Sequence, residues 1–228
     1  ELSGLQDAAP PIAFEEIRRV VEADLGRPLA ELFVRFDEEP VAAASIGQVH
    51  RALTLEGRSA AVKVQRPGIG ELIAMDMDLL ETALAGIRSM LPPTDYETIN
   101  AEVRAMVEGE MDYRAEAGMM ERLADFFHET PGIVFPRTLP SLCGSRVLTS
   151  TLVEGRKITI VLDELAARRD RGDADAEQRL SRILGLVLEA YARQVLEAGV
   201  FQADPHPGNL LVTDRDEIVL LDFGCTKI

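Results

Sequence analysis

Gln202-Ala203-Asp204-Pro205-His206-Pro207-Gly208-Asn209, followed thirteen residues after Asn209 by Asp222-Phe223-Gly224, is the stretch on which the reading of this chain turns. A carboxylate and a carboxamide five positions apart share one loop broken by Pro and Gly. Two short apolar runs, 210–212 and 218–222, read as a hairpin that brings Asp222 back beside that loop. Phosphoryl transfer from a nucleotide requires a carboxylate to orient or deprotonate the acceptor, and oxygen ligands for a Mg²⁺ ion that bridges the phosphates. Asp204 is the candidate for the first task, Asn209 and Asp222 for the second. The plain alternative is that Asp204 and Asn209 only cap a turn. His206, flanked by prolines, is expected to hold loop geometry more than to donate to a phosphate.

Working outward, the next informative residue is Lys63, one of three lysines in the chain, set in the apolar run Ala60-Ala61-Val62-Lys63-Val64. A buried ammonium needs a partner. In kinase-like folds a strand lysine contacts the α- and β-phosphates and pairs with a helix glutamate; an edge-strand lysine reaching solvent is the alternative. Residues 41–64 are small, β-branched and alternating, and Leu55-Glu56-Gly57-Arg58 interrupts them as a hairpin turn. Ala42-Ala43-Ala44-Ser45-Ile46-Gly47-Gln48-Val49 opens the first arm. A phosphate-cradling turn usually has several glycines, and only Gly47 stands here.

Ile17, Val20, Val21 and Leu25 predict an amphipathic helix opened by Pro10-Pro11 and closed at Gly26. Two long helical patterns follow the hairpin and are expected to pack as a pair: Ile73, Met77, Leu80, Leu84, Ile87 and Leu91, then, after Pro92-Pro93, Ile99, Val103, Met106, Tyr113, Ala117 and Met120. Glu110 falls on the core stripe of the second pattern, so it has a partner or the helix breaks near Gly109. Residues 71–129 hold 14 acids and 4 bases, a net of −10, which reads first as a solvated acidic face. Strands are expected at 133–135 and 146–153, a connector at Glu154-Gly155-Arg156, and a helix through Leu180, Ile183, Leu184, Val187, Leu188, Tyr191 and Val195. The domain border is drawn there, giving 1–153 and 154–228.

The 228 residues carry a net charge of −15, 46% hydrophobic residues and 28% charged ones. Enough apolar mass is present for a core, and the acidity argues against nucleic acid as a partner. Cys143 and Cys225 are too few for a disulfide framework and lack metal-ligand spacing, so a reducing, cytoplasm-facing compartment is expected. Cys225 reads as a small buried residue. No apolar run reaches spanning length, and no signal segment is visible. A start without Met and a stop just after Asp222-Phe223-Gly224 suggest a piece of a longer protein.

AAASIGQVHRA, AVKVQRPG, EMDYRAEA, QADPHPGN and LLDFG together resemble the UbiB/ADCK family of atypical kinase-like proteins, associated with coenzyme Q biosynthesis. The resemblance implies an α+β, two-lobed protein-kinase-like fold with a family-specific helical pair in the N-lobe. It makes 42–48 the alanine-rich loop, Lys63 the phosphate-contacting lysine paired with Glu116, and Glu110 and Asp112 the regulatory E-x-D acids. By the same resemblance Asp204 is the catalytic-loop aspartate, Asn209 and Asp222 are the metal ligands, and Leu152, Val153 and Glu154 form the hinge at adenine. The implied cofactors are ATP or ADP with Mg²⁺. The implied activity is that of an ATPase or small-molecule kinase, with lipid-quinone precursors or their biosynthetic enzymes as partners. Membrane association, peripheral to an inner membrane, would come through segments outside this chain, and the family's K-x-G-Q element would lie upstream of Glu1. Two rival readings are an aminoglycoside- or choline-kinase-like phosphotransferase, suggested by D-x-H-x-G-N, and a nucleotide-binding pseudokinase scaffold.

Overall fold

The computed structural model describes residues 12–43, 46–87, 95–202, 205–224 and 226–227, and within the helices and strands every side chain but those of residues 97, 106, 108, 110, 201 and 227. In chain order the elements are α1 (Phe14–Leu25), β1 (Phe33–Ala43), β2 (Gly47–Thr54), β3 (Ser59–Gln65), α2 (Ile69–Ile87), α3 (Tyr96–Glu110), α4 (Tyr113–Phe126), β4 (Ile133–Val134), β5 (Val147–Thr151), β6 (Arg156–Lys157), α5 (Ile158–Arg169), α6 (Ala174–Leu196), β7 (Phe201–Gln202), β8 (Leu210–Val212), β9 (Ile218–Leu220) and β10 (Thr226–Lys227). They form two compact units: Glu1–Arg114 with Pro140–Thr149, and Ala115–Leu139 with Ser150–Ile228. Residues 115–139, placed in the first lobe by the sequence reading, group with the second unit.

In the first unit, α1 buries Ile17, Val20 and Val21, spaced along one face. It stops at Gly26, whose φ of 69° is left-handed and whose N–H closes on the Glu22 carbonyl at 2.9 Å. The main sheet runs in the order β1-β2-β3-β5. The β2–β3 hairpin has the register Leu53↔Ser59 through Gly47↔Gln65, with Ala60, Val62 and Val64 fully buried on one face. Strand β1 begins well before the alternating run, at Phe33. It is an edge strand whose pairing shifts on either side of Pro40, so Asp37-Glu38-Glu39-Pro40 interrupts any apolar alternation.

The helical pair departs from expectation. No residue of α2 is buried, and Leu79 and Ile99 are 68% and 47% exposed, so the apolar stripes are not a closed core. The second pattern is two helices, α3 and α4, separated at Met111-Asp112. That is the break which a carboxylate at Glu110 foreshadowed.

In the second unit the sheet order is β4-β9-β8-β6, with β4 parallel to β9 and the other pairs antiparallel; β7 pairs with β10. Phe127 stacks on Phe135 at 5.1 Å between ring centroids, and Phe135 lies 5.6 Å from Phe223. The aromatic residue after Asp222 is thereby rooted in the core. Asp173 caps α6 by accepting from Ala176 N at 3.2 Å. The buried face of α6 is Ala176, Ile183, Ala190 and Gln194; of the expected stripe only Ile183 is buried, and Leu188 is 72% exposed. Helix α5 had no counterpart in the sequence reading. Among the described residues no helix is long and apolar enough to cross a membrane.

Candidate functional site

The hairpin anticipated after Asn209 forms, with Leu210↔Leu220, Leu211↔Val219 and Val212↔Ile218 paired. Its base is closed by Leu221 N donating to the Asn209 carbonyl at 3.1 Å. The two side chains therefore meet: Asn209 Nδ2 donates to Asp222 Oδ2 at 3.2 Å. The other oxygen, Asp222 Oδ1, accepts from Gly224 N at 3.0 Å, and Gln202 Nε2 donates to the Asp222 carbonyl at 3.1 Å. Gln202 is a second-unit contributor whose role the sequence reading missed; the only signal was a polar residue in an otherwise apolar strand entry.

Glu116, buried on α4, shares this neighbourhood. A methyl built at Gly224 would lie 3.4 Å from Asp222 Oδ1 and 3.9 Å from Glu116 Oε2. His206 accepts from Gly208 N through Nδ1 at 3.0 Å, and its carbonyl accepts from Asn209 N at 3.0 Å. It thus sets the turn that presents Asn209, as its proline flanks suggested. Leu152 and Val153 are half-buried and Glu154 is exposed. These three lead into β6, which pairs with β8 through Arg156↔Val212 and so adjoins the hairpin. Asp204 lies outside the described residues, as does Cys225.

The first unit holds the remaining candidates. Lys63 sits opposite Val49 on β3, a strand flanked on both sides by β2 and β5; the edge-strand alternative is excluded. Its Nζ lies 4.9 Å from the centroid of the buried Tyr113 ring, a cation–π distance. Gly47 is there for close approach: a Cβ would come within 2.6 Å of the Val64 carbonyl oxygen and 2.8 Å of Tyr113 Oη. Ala42 and Ala43 end β1, Ala44 and Ser45 are outside the described residues, and the Ile46 carbonyl accepts from Arg66 N at 2.9 Å.

Gln48 and His50 are buried together. His50 Nδ1 lies 2.8 Å from the Asp37 carbonyl and its Nε2 lies 2.8 Å from Gln48 Nε2. Since a carbonyl only accepts, Nδ1 carries the proton and Nε2 accepts from Gln48. Burial pushes the His50 pKa down, outweighing the Asp37 carbonyl bond and the Asp37 charge. Gln48 Oε1 accepts from Ile12 N at 3.0 Å, tying the residue ahead of α1 to the exit of the alanine-rich segment.

Asp112 is exposed and accepts from Arg114 N at 3.0 Å, capping α4. The Met111 carbonyl between the two E-x-D acids accepts from Gln65 Nε2 at 2.5 Å, so that segment is the fastened break between two helices. The side chain of Glu110 is outside the described residues. Among the described residues no three His, Cys, Asp or Glu side chains converge as a metal cluster. Among its described residues the second unit offers a cation the Asn209 carboxamide and the Asp222 carboxylate, with Glu116 in the same neighbourhood, hard-oxygen groups suited to Mg²⁺, which keeps waters and phosphate oxygens as its other ligands.

A sheet carrying a central-strand lysine, with a hairpin joining an amide to the D-F-G carboxylate in the other unit, is a kinase-like fold. The chain belongs to the ABC1 atypical kinase-like family, whose domain model matches residues 4–228. It is 37% identical over 226 residues to Protein ACTIVITY OF BC1 COMPLEX KINASE 7, chloroplastic, of Arabidopsis thaliana, covering 98% of this chain and 31% of that one. It is 32% identical over 232 residues to AarF domain-containing protein kinase 1 of Xenopus tropicalis, covering 100% and 43%. A solved erythromycin complex of Rv3197 from Mycobacterium tuberculosis superposes with a TM-score of 0.79 at 28% identity, covering 99% of this chain and 54% of that one. The chain thus spans about a third of the length of the first curated relatives it matches.

Proposed function

We propose that this chain is the nucleotide-binding part of an atypical kinase or ATPase that takes Mg²⁺ with ATP or ADP. The observation that carries the reading is the contact between Asn209 and Asp222, built by the β8–β9 register and not by chance proximity of loops. Asn209 and Asp222 hold the metal, which when bound neutralises charge on the phosphates. Lys63 contacts the phosphates, with Glu116 as its partner by family resemblance. The alanine-rich segment, Ala42 to Val49, covers the phosphates, and Leu152, Val153 and Glu154 meet the base. Asp204 orients the attacking oxygen, of water or of an acceptor hydroxyl, and accepts its proton as the new P–O bond forms and the bond to the ADP oxygen breaks. Glu110 and Asp112 act as regulators.

By family resemblance the whole protein serves ubiquinone or related lipid-quinone biosynthesis, on precursors or on their enzymes. Calorimetric titration of Mg²⁺–ATP and Mg²⁺–ADP into the chain tests the site. Saturable, Mg²⁺-dependent heats that Asp222→Asn abolishes are the expected outcome. Binding that survives Asp222→Asn, or its absence from a chain shown to be folded, would count against this reading.

A further inference from the structure

Within the first unit, strand β3 sends two side chains to one place. Lys63 and Gln65 stand two residues apart and so leave the same face of the strand, opposite Val62 and Val64. Gln65 Nε2 donates to the Met111 carbonyl at 2.5 Å, and Lys63 Nζ lies 4.9 Å from the centroid of the Tyr113 ring. Both therefore reach the start of α4, just past its break from α3. The ring is itself held in place. Tyr113 is fully buried, its N–H donates to the Ser145 carbonyl at 3.0 Å, and Gly47 makes room for its Oη, since a Cβ there would lie 2.8 Å from that oxygen. One side chain thus packs against both the lysine of β3 and the glycine of the alanine-rich segment.

We propose that Tyr113 is a positioning residue for Lys63, its ring face seating the ammonium so that incoming phosphate oxygens meet a lysine already in place. Lys63 is half-buried, and an ammonium out of water is stabilised by an opposite charge or by an aromatic face. The two differ in what they leave free. A carboxylate takes up N–H donors that a phosphate must then win back, whereas a ring attracts the cation as a whole and leaves its three N–H groups able to donate. An aliphatic side chain would fill the same space without that attraction. The inference rests on the nucleotide reading for the ligand that Lys63 meets, and adds to it the residue that fixes where the lysine points.

Lysine signals in nuclear magnetic resonance, read beside calorimetric titration of Mg²⁺–ADP, test it. Lys63, Lys157 and Lys227 are the lysines of the chain, so isotope labelling of lysine gives a simple spectrum in which the signal missing from Lys63→Arg belongs to Lys63. Its Hε protons, held over a ring face, should resonate upfield of those of free lysine in the unaltered chain and in Tyr113→Phe, and return toward the free position in Tyr113→Met. Mg²⁺–ADP should bind Tyr113→Phe as tightly as the unaltered chain and Tyr113→Met about three- to tenfold more weakly, with melting curves showing that each variant is folded. Should Tyr113→Met fail to fold, the Lys63 signal of the unaltered chain decides: it must lie upfield and move on addition of Mg²⁺–ADP, and failure of either condition overturns the proposal. No binding of Mg²⁺–ADP by the unaltered chain overturns the nucleotide reading and the positioning role with it. Binding that a folded Tyr113→Met keeps at full strength, a Lys63 signal indifferent to that substitution, or a loss in Tyr113→Phe as large as in Tyr113→Met overturns the positioning role alone.

Discussion

At Gly47 a single hydrogen in place of a side chain lets β2 close on β3 and on Tyr113. Gly47→Ala puts a carbon 2.6 Å from a backbone carbonyl oxygen, which a flexible side chain cannot relieve. It should cost about 1–3 kcal/mol, measured as a lower urea midpoint; an unchanged midpoint would refute the close-approach role. His50 gives a pH dependence with a definite sign. Its folded pKa lies below the ordinary 6.5, so the unfolded chain takes up the proton first. The contribution of neutral His50 is complete above pH 6.5, declines as pH falls below it, and levels off under the depressed folded value. Comparing urea midpoints of the unaltered chain and His50→Gln from pH 7.5 to 5, the gap should narrow on acidification; a gap independent of pH would contradict the assignment. Extra Cβ atoms at Ala42 and Ala43 stiffen the backbone relative to glycine. Ala43→Gly is therefore expected to shift the ratio of ATP to ADP affinity, read from paired titrations.

Among the elements, hairpins were the legible ones. β2–β3 alternates with period two and β8–β9 is a pair of short apolar runs, each around a short polar turn, so the pairing follows from the same residues as the pattern. The β8–β9 turn is further held by Arg179 of α6, which donates to both oxygens of Asp216 at 2.9 and 2.7 Å, and Asp216 sits at φ 58°. That hydrogen bonding keeps the Asp216 carboxyl below its usual range. Arg179→Met should lower stability by about 1–2 kcal/mol near neutral pH. The loss should fade as Asp216 is protonated in acid, checked by urea melts at pH 7 and pH 3. Helix faces were less legible. The stripes on α2 and α6 are apolar on more sides than one, so periodicity alone could not say which side is buried. Helix α5 opens on Ile158-Thr159-Ile160-Val161, a β-branched run whose local preference is for strand, and the packing of Ile158, Val161 and Leu165 overrides it. Of the candidate site, the meeting of Asn209 with Asp222 was legible from loop spacing, whereas Gln202, Gln65 and Tyr113 make backbone or ring contacts with residues distant in sequence.

For the molecule as a whole, the acidity is concentrated: residues 71–129 hold −10 of the −15 net charge. Self-repulsion of that order should make the chain more stable as salt screens it, seen as a melting temperature that rises between low and about 0.5 M NaCl; a fall would show that ion pairs outweigh repulsion. If the Asn209–Asp222 pair holds a nucleotide-bound divalent ion, Mn²⁺ in place of Mg²⁺ makes that binding visible. In an electron paramagnetic resonance titration of Mn²⁺–ADP with the chain, the signal of free hydrated Mn²⁺ should fall saturably only when ADP is present, and should not fall with Asp222→Asn melting at the same temperature. Uptake of Mn²⁺ that ignores ADP, or equal uptake by Asp222→Asn, would contradict the account.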